Sequence, residues 1–173
     1  NMKLHNSLGI DIGSTTVKIA VLDSDNHILF ADYERHYANI QETLALLLSR
    51  AKEKLGEMTV RASITGSGGL TLSRHLNIPF TQEVVAVATA LQAYAPQTDV
   101  AIELGGEDAK IIYFTGGIDQ RMNGICAGGT GSFIDQMASL LQTDASGLND
   151  YAKHYQMIYP IAARCGVFAK SDI

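Results

Sequence analysis

Part of this chain occurs twice. At an offset of 92 residues, Ile10-Asp11-Ile12-Gly13-Ser14-Thr15-Thr16-Val17-Lys18-Ile19 matches Ile102-Glu103-Leu104-Gly105-Gly106-Glu107-Asp108-Ala109-Lys110-Ile111. Both run apolar, acid, apolar, Gly, four residues, Lys, Ile, and a repeat of that length marks two copies of one structural unit. Apolar alternation on either side of a Gly-containing break predicts a strand, a tight turn and a return strand in each copy. The first hairpin is expected to join 8–12 to 17–22 and the second 100–104 to 110–114, with third strands at 28–37 and 118–122. The acid then falls at a strand end beside each turn.

The segments between the copies read as helices and one more strand. Asn39 with Glu42 three residues on is a cap signal. Ile40, Leu44, Leu47, Leu48, Ala51 and Leu55 follow on one helical face, which Gly56 ends. A strand at 60–65, a Gly66-Ser67-Gly68-Gly69 turn and an Ala-rich helix at 84–95, stopped by Pro96, complete the first unit. In the second, a helix from Gly131 carries Phe133, Ile134, Met137, Leu140 and Leu141 at helical spacing. Tyr151, Tyr155 and Tyr159 recur every four residues and are expected to pack one side of a further helix. The order is three strands then helix, twice: an α/β chain with mixed sheets, divided into 2–97 and 98–173.

Such paired hairpins suit phosphate. A Gly-rich turn lets backbone N–H groups converge on an anion without a Cβ in the way. Ser14, Thr15, Thr16 and Lys18 add hydroxyls and a cation to the first turn, and Gly105, Gly106 and Lys110 take the matching places in the second. A bare carboxylate would repel phosphate, so Asp11 and Glu103 are assigned to a hydrated Mg²⁺, and Glu107 or Asp108 to orienting water. Neither Gly-x-x-x-x-Gly-Lys-Ser/Thr nor Gly-x-Gly-x-x-Gly occurs.

Composition narrows the field of partners. Lys plus Arg number 13 against 18 Asp plus Glu, for a net charge of -5, which argues against nucleic acid. The longest apolar runs fall far short of the roughly 20 residues of a membrane span. A cytoplasmic protein is expected, with no membrane partner. The two cysteines, Cys126 and Cys165, are 39 residues apart without a Cys-x-x-Cys motif, and by composition alone each is a small buried hydrophobe. His5, His27, His36, His75 and His154 form no motif and are treated as surface or structural residues.

The segments GIDIGSTTVK at 9–18, ELGGEDAK at 103–110, NGICAGGTGSFIDQMA at 123–138 and CGVFAKSDI at 165–173 resemble the BadF/BadG/BcrA/BcrD ATPase family, which contains the activators of 2-hydroxyacyl-CoA dehydratases. The resemblance covers essentially the whole chain. It implies an actin-like ATPase fold (ASKHA, ribonuclease H-like), here with its second lobe incomplete. It also implies an ATP-hydrolysing activase with ATP or ADP and Mg²⁺ as ligands. Two subunits, as a homodimer or as paired activator domains, would share one [4Fe-4S] cluster, so the resemblance reassigns Cys126 and Cys165 as its thiolate ligands. Gly128, Gly129 and Gly131 would let backbone crowd that cluster, and a helix starting there would aim its positive end at it. A ferredoxin or flavodoxin would supply the electron, and a dehydratase or benzoyl-CoA reductase type enzyme would receive it.

Two departures from the family pattern stand out. The short activators carry Asp-Ile-Gly-Gly-Gln-Asp where this chain has Glu103-Leu104-Gly105-Gly106-Glu107-Asp108, wording nearer to long members in which activator domains are fused to a dehydratase-like part. The family's adenosine-binding Gly-Gly motif lies beyond Ile173, so a piece of a longer polypeptide is expected. A small-molecule kinase of the same superfamily would need an acceptor pocket and a catalytic base, and a non-catalytic interaction module would have no use for intact Asp11, Gly13 and Lys18.

Overall fold

The computed structural model describes residues 5–105, 109–117, 119–122 and 131–158. The chain divides into two units, Asn1–Thr98 and Asp99–Ile173.

The first unit is built on the first hairpin. Strand β1 (Asn6–Ile12) turns into β2 (Thr16–Leu22), and β3 (Ile28–Arg35) pairs with β2. Helix α1 (Ile40–Leu55) then crosses over to β4 (Val60–Thr65), which lies parallel to β1. The sheet order is β3-β2-β1-β4, with only the β1–β4 pair parallel. Period-two alternation gives this sheet two unlike faces. One carries Ile10, Ile12, Val17, Ile19 and Ile64 and packs with Leu44, Leu47 and Ala51 of α1 and with Leu72 into the buried core. The other presents Gly9, Asp11, Lys18, Ala20, Ser63 and Thr65.

Arg50 ties α1 to the sheet, since its Nη1 donates to Asp32 Oδ2 at 3.1 Å and Glu34 Oε2 at 3.0 Å. Those bonds, first that to Glu34 and then that to Asp32, hold the guanidinium pKa above its ordinary value.

Several expectations need correcting here. Strand β3 stops at Arg35 because Tyr37 and Ala38 adopt left-handed conformations, at φ 44° and 67°. Asn39 sits at the N-cap of α1 but its side chain makes no capping bond; its carbonyl accepts instead from the Thr43 hydroxyl at 2.7 Å. Leu48 is 36% exposed, and the buried positions of α1 are Thr43, Leu44, Leu47 and Ala51. The turn after β4 opens an unforeseen helix, α2 (Gly69–Leu76), ahead of α3 (Glu83–Tyr94). Helix α2 ends on Asn77 in the left-handed region, where its short polar side chain is tolerated.

The second unit holds the antiparallel sheet β5 (Val100–Leu104), β6 (Ala109–Tyr113) and β7 (Asp119–Met122), in that order, followed by α4 (Gly131–Leu140) and α5 (Ala145–Lys153). Three strands then helix thus recurs. Met137 and Ala138 of α4 are buried, whereas Leu140 and Leu141 are exposed, because α4 ends in a turn at that point. Asp144 caps α5 by accepting the Gly147 N–H at 2.8 Å. The tyrosine stripe is not formed: α5 ends at Lys153, Tyr151 and Tyr155 are exposed, and Tyr159 lies outside the described residues. No helix among the described residues is long and apolar enough to cross a membrane.

Candidate functional site: a phosphate-type turn beside Asp11

The β1–β2 register sets Asp11 opposite Lys18, and their side chains meet at 3.3 Å, Nζ to Oδ2. The parallel register sets Asp11 beside Thr65 of β4, whose hydroxyl is buried without a hydrogen-bond partner. Three adjacent strands therefore present an ammonium, a carboxylate and an orphaned hydroxyl in one row. Gly13 continues it: a Cβ built there would lie 3.6 Å from both Lys18 Nζ and Thr16 Oγ1. The missing side chain leaves space beside a cation and a hydroxyl donor.

The turn itself, residues 13–16, is held by its own backbone and by the residue after β3. The Gly13 N–H donates to Thr16 O at 2.9 Å, and the His36 N–H to Thr15 O at 3.0 Å. His36 Nε2 lies 3.0 Å from Gly13 O, while its Nδ1 accepts the Ala38 N–H at 3.0 Å. Because Nδ1 accepts, the ring proton sits on Nε2 and is donated to Gly13 O. Among the described residues no backbone carbonyl accepts the N–H of Ser14 or Thr15.

The strand-to-helix turn after β4 closes on the same place. Gly66, at φ 98°, leaves its missing Cβ against the Ile12 carbonyl and 2.5 Å from Asp11 Oδ1, and the Gly68 N–H donates to Ile12 O at 2.9 Å. A cleft of about 600 Å³ adjoins the row, lined by Asp11, Lys18 and Thr65 and by the small residues Ala86, Ala90 and Ala93 of α3. Its far end is tied by the Tyr94 hydroxyl, which donates to Asn26 O.

The donors suit a hydrated magnesium: one carboxylate and one hydroxyl are hard oxygen ligands, too few for a full shell, and Mg²⁺ keeps most of its waters. Asp23, Asp25 and His27 also converge, at the opposite end of β2. There the Asp23 carboxylate is already engaged by the Asp25 and His27 N–H groups, both at 2.9 Å. The His27 N–H above all lowers its pKa, against an opposing effect of desolvation.

The second unit repeats the pattern in register. Glu103 faces Lys110 across β5–β6, as Asp11 faces Lys18, and Gly105 follows β5 as Gly13 follows β1. The Gly105 carbonyl is again engaged from outside its hairpin, here by the Gly131 N–H at 2.6 Å.

Of the residues singled out from sequence, Asp11, Gly13, Thr16 and Lys18 come together, Ser14 and Thr15 form the tip of the turn, and Glu103, Gly105 and Lys110 occupy the matching hairpin. Gly106, Glu107, Asp108, Cys126 and Cys165 lie outside the described residues. Sequence reasoning did not assign Thr65, Gly66 or His36 to the site. For Gly66 a signal existed in the Gly-Ser-Gly-Gly cluster directly after a strand, whereas for His36 there was none.

This chain is similar to proteins of solved structure. The activator of 2-hydroxyisocaproyl-CoA dehydratase from Clostridium difficile, whose structure holds ADPNP, superposes with a TM-score of 0.81 at 27% identity, over 96% of this chain and 63% of its own. Component A of the Acidaminococcus fermentans (R)-2-hydroxyglutaryl-CoA dehydratase gives 0.80 at 27% identity, over 97% and 66%. The activator of lactoyl-CoA dehydratase from Anaerotignum propionicum is 30% identical over 96% of this chain and 66% of its own length. The chain thus spans about two thirds of the length of these relatives. The fold is that of the actin-like ATPases. The model of the BadF/BadG/BcrA/BcrD ATPase family matches residues 8–173, a span that includes the turns of both hairpins, so this chain belongs to the BadF/BadG/BcrA/BcrD ATPase family.

Proposed function

We propose that this chain is the nucleotide-binding part of an ATP-dependent activator that delivers a low-potential electron to a 2-hydroxyacyl-CoA dehydratase or benzoyl-CoA reductase type enzyme. The observation that carries this reading is the row Thr65, Asp11, Lys18 beside the turn at Gly13, which combines anion donors with a carboxylate on one face of one sheet. The relatives named as dehydratase activators support the choice of partner.

In this reading the Ser14 and Thr15 N–H groups, the Thr16 hydroxyl and Lys18 bind phosphate oxygens of ATP. Asp11 orients water bound to Mg²⁺, and Glu103 is the matching carboxylate of the second hairpin. Gly13, Gly105 and Gly106 give the backbone access, Lys110 answers Lys18, and Glu107 or Asp108 orients the attacking water. Cys126 and Cys165 give two of the four thiolates that a [4Fe-4S] cluster takes, and the family resemblance implies that a second subunit or a paired activator domain gives the other two. When bound, that cluster supplies one-electron chemistry at low potential, with a ferredoxin or flavodoxin as donor.

Anaerobic iron–sulfur reconstitution of the complete polypeptide tests the proposal, read by absorbance, EPR and iron content, with ATP hydrolysis measured in parallel. One [4Fe-4S] cluster per two chains, lost in Cys126→Ser and Cys165→Ser, is the expected result. Intact ATP hydrolysis with no cluster under any reconstitution condition would overturn it.

A further inference from the structure

We infer that His36 is a positioning residue of the phosphate turn: by donating from Nε2 to the Gly13 carbonyl, it turns the Ser14 N–H outward as an anion donor. The inference rests on the nucleotide-binding reading above, and its geometry is independent of the cysteines.

The peptide joining Gly13 to Ser14 is the pivot. The described residues contain no cis peptide, and in a trans peptide the C=O and N–H point in opposite directions. His36 follows β3 in the same alternation as Asp32 and Glu34, both of which meet Arg50 of α1, so its ring approaches the turn from the α1 side of the sheet. With Gly13 O held on that side, the Ser14 N–H is directed to the other, where Lys18 and Asp11 stand. His36 also takes the Thr15 carbonyl through its own N–H, and Gly13 takes that of Thr16. Three carbonyl oxygens that would repel phosphate are occupied from within the fold.

The ring can do this only in one tautomer, and the chain secures it. Tyr37 and Ala38 are consecutive non-glycine residues in the left-handed region, a conformation that persists where the surroundings impose it. Their backbone path brings the Ala38 N–H to His36 Nδ1, which keeps that nitrogen an acceptor and leaves the proton on Nε2. His36 is buried, which shields both bonds from competition by water. In the second hairpin the Gly105 carbonyl is likewise engaged, there by the Gly131 N–H.

The experiment compares the complete wild-type polypeptide with His36→Gln and His36→Leu, by titration with Mg·ATP and by melting without nucleotide. Imidazole ¹⁵N shifts of His36 are recorded on the wild type. Glutamine keeps an N–H at the Nε2 position and leucine removes it. The expected results are an Nε2–H tautomer, an affinity for Mg·ATP at least about tenfold weaker in His36→Leu, the loss of one hydrogen bond to a polarised carbonyl, and recovery of most of it in His36→Gln. An Nδ1–H tautomer would overturn the inference whatever the nucleotide result. So would wild-type affinity in His36→Leu, or equal loss of affinity and melting temperature in both variants, which marks a merely structural histidine. If the wild type itself binds no Mg·ATP, the nucleotide reading fails and takes this inference with it, an outcome recognisable from the wild-type titration alone.

Discussion

Gly66 leaves no room for a side chain beside Asp11: a Cβ there would stand 2.5 Å from Asp11 Oδ1 and would also press on the Ile12 carbonyl. The position has φ 98° as well, where L residues are strained. Strain of about 1–3 kcal/mol adds to overpacking of about 1–3 kcal/mol, so Gly66→Ala is expected to destabilise the protein by about 2–6 kcal/mol in chemical denaturation. Gly56, at φ 76° but with nothing within 4 Å of a built Cβ, is the control, and Gly56→Ala should cost about 1–3 kcal/mol, the backbone strain alone.

Lys18 separates binding from folding. Its pair with Asp11 is 49% and 36% exposed, and such pairs contribute about 0–1 kcal/mol. Lys18→Met should therefore melt within a few degrees of the wild type in the absence of nucleotide. Losing a charge-assisted bond to phosphate, at about 1.5–3 kcal/mol, should weaken Mg·ATP binding by about ten- to a hundredfold in calorimetric titration. Unchanged affinity would remove Lys18 from the site.

The α1 packing can be weighed by two neighbours. Leu47 is fully buried in the core and Leu46 is 45% exposed. Leu47→Ala is expected to lose about 2–5 kcal/mol, and Leu46→Ala less than about 1 kcal/mol, in urea denaturation of the two variants.

Asp23 gives the β2–β3 turn a pH dependence of known sign. Its folded pKa lies below the ordinary 3.8 because the His27 and Asp25 N–H groups favour the carboxylate. The stabilisation is then fully present above the ordinary value and is lost as pH falls through the lower folded one. Melting temperatures of wild type and Asp23→Ala should differ at neutral pH, and the gap should close only in acid below 3.8. A gap that persists unchanged there would show that the carboxylate charge is not its origin.

The hairpins were legible because their information is local: Asp11, Gly13 and Lys18 recur as Glu103, Gly105 and Lys110, and period-two alternation fixes which of them share a face. Helix α1 was legible for the same reason, from its apolar spacing. What escaped the sequence depends on distant backbone. Leu48 fits the apolar stripe of α1, yet Thr43 took the buried place, because the stripe marks a face and not the edge of the sheet beneath it. Helix α2 was hidden by the glycines that begin it. The row beside Asp11 is completed by Thr65 through a parallel pairing 54 residues away in sequence, which no local pattern encodes. Tyr37 and Ala38 carry no residue-type signature of left-handed backbone, so the early end of β3 was equally unreadable.

The contact between His36 and the Gly13 carbonyl changes what a transplant of this turn would require. A graft of residues 9–18 alone would carry the sequence motif and leave behind the groups that hold its carbonyls. Copying the loop means moving the end of β3 and its left-handed corner with it, so the smallest portable unit is the three-stranded meander. In the nucleotide-binding reading, Ser14 and Thr15 are used through main-chain N–H groups that every residue but proline possesses, so their side chains are less constrained by that role than the ring of His36.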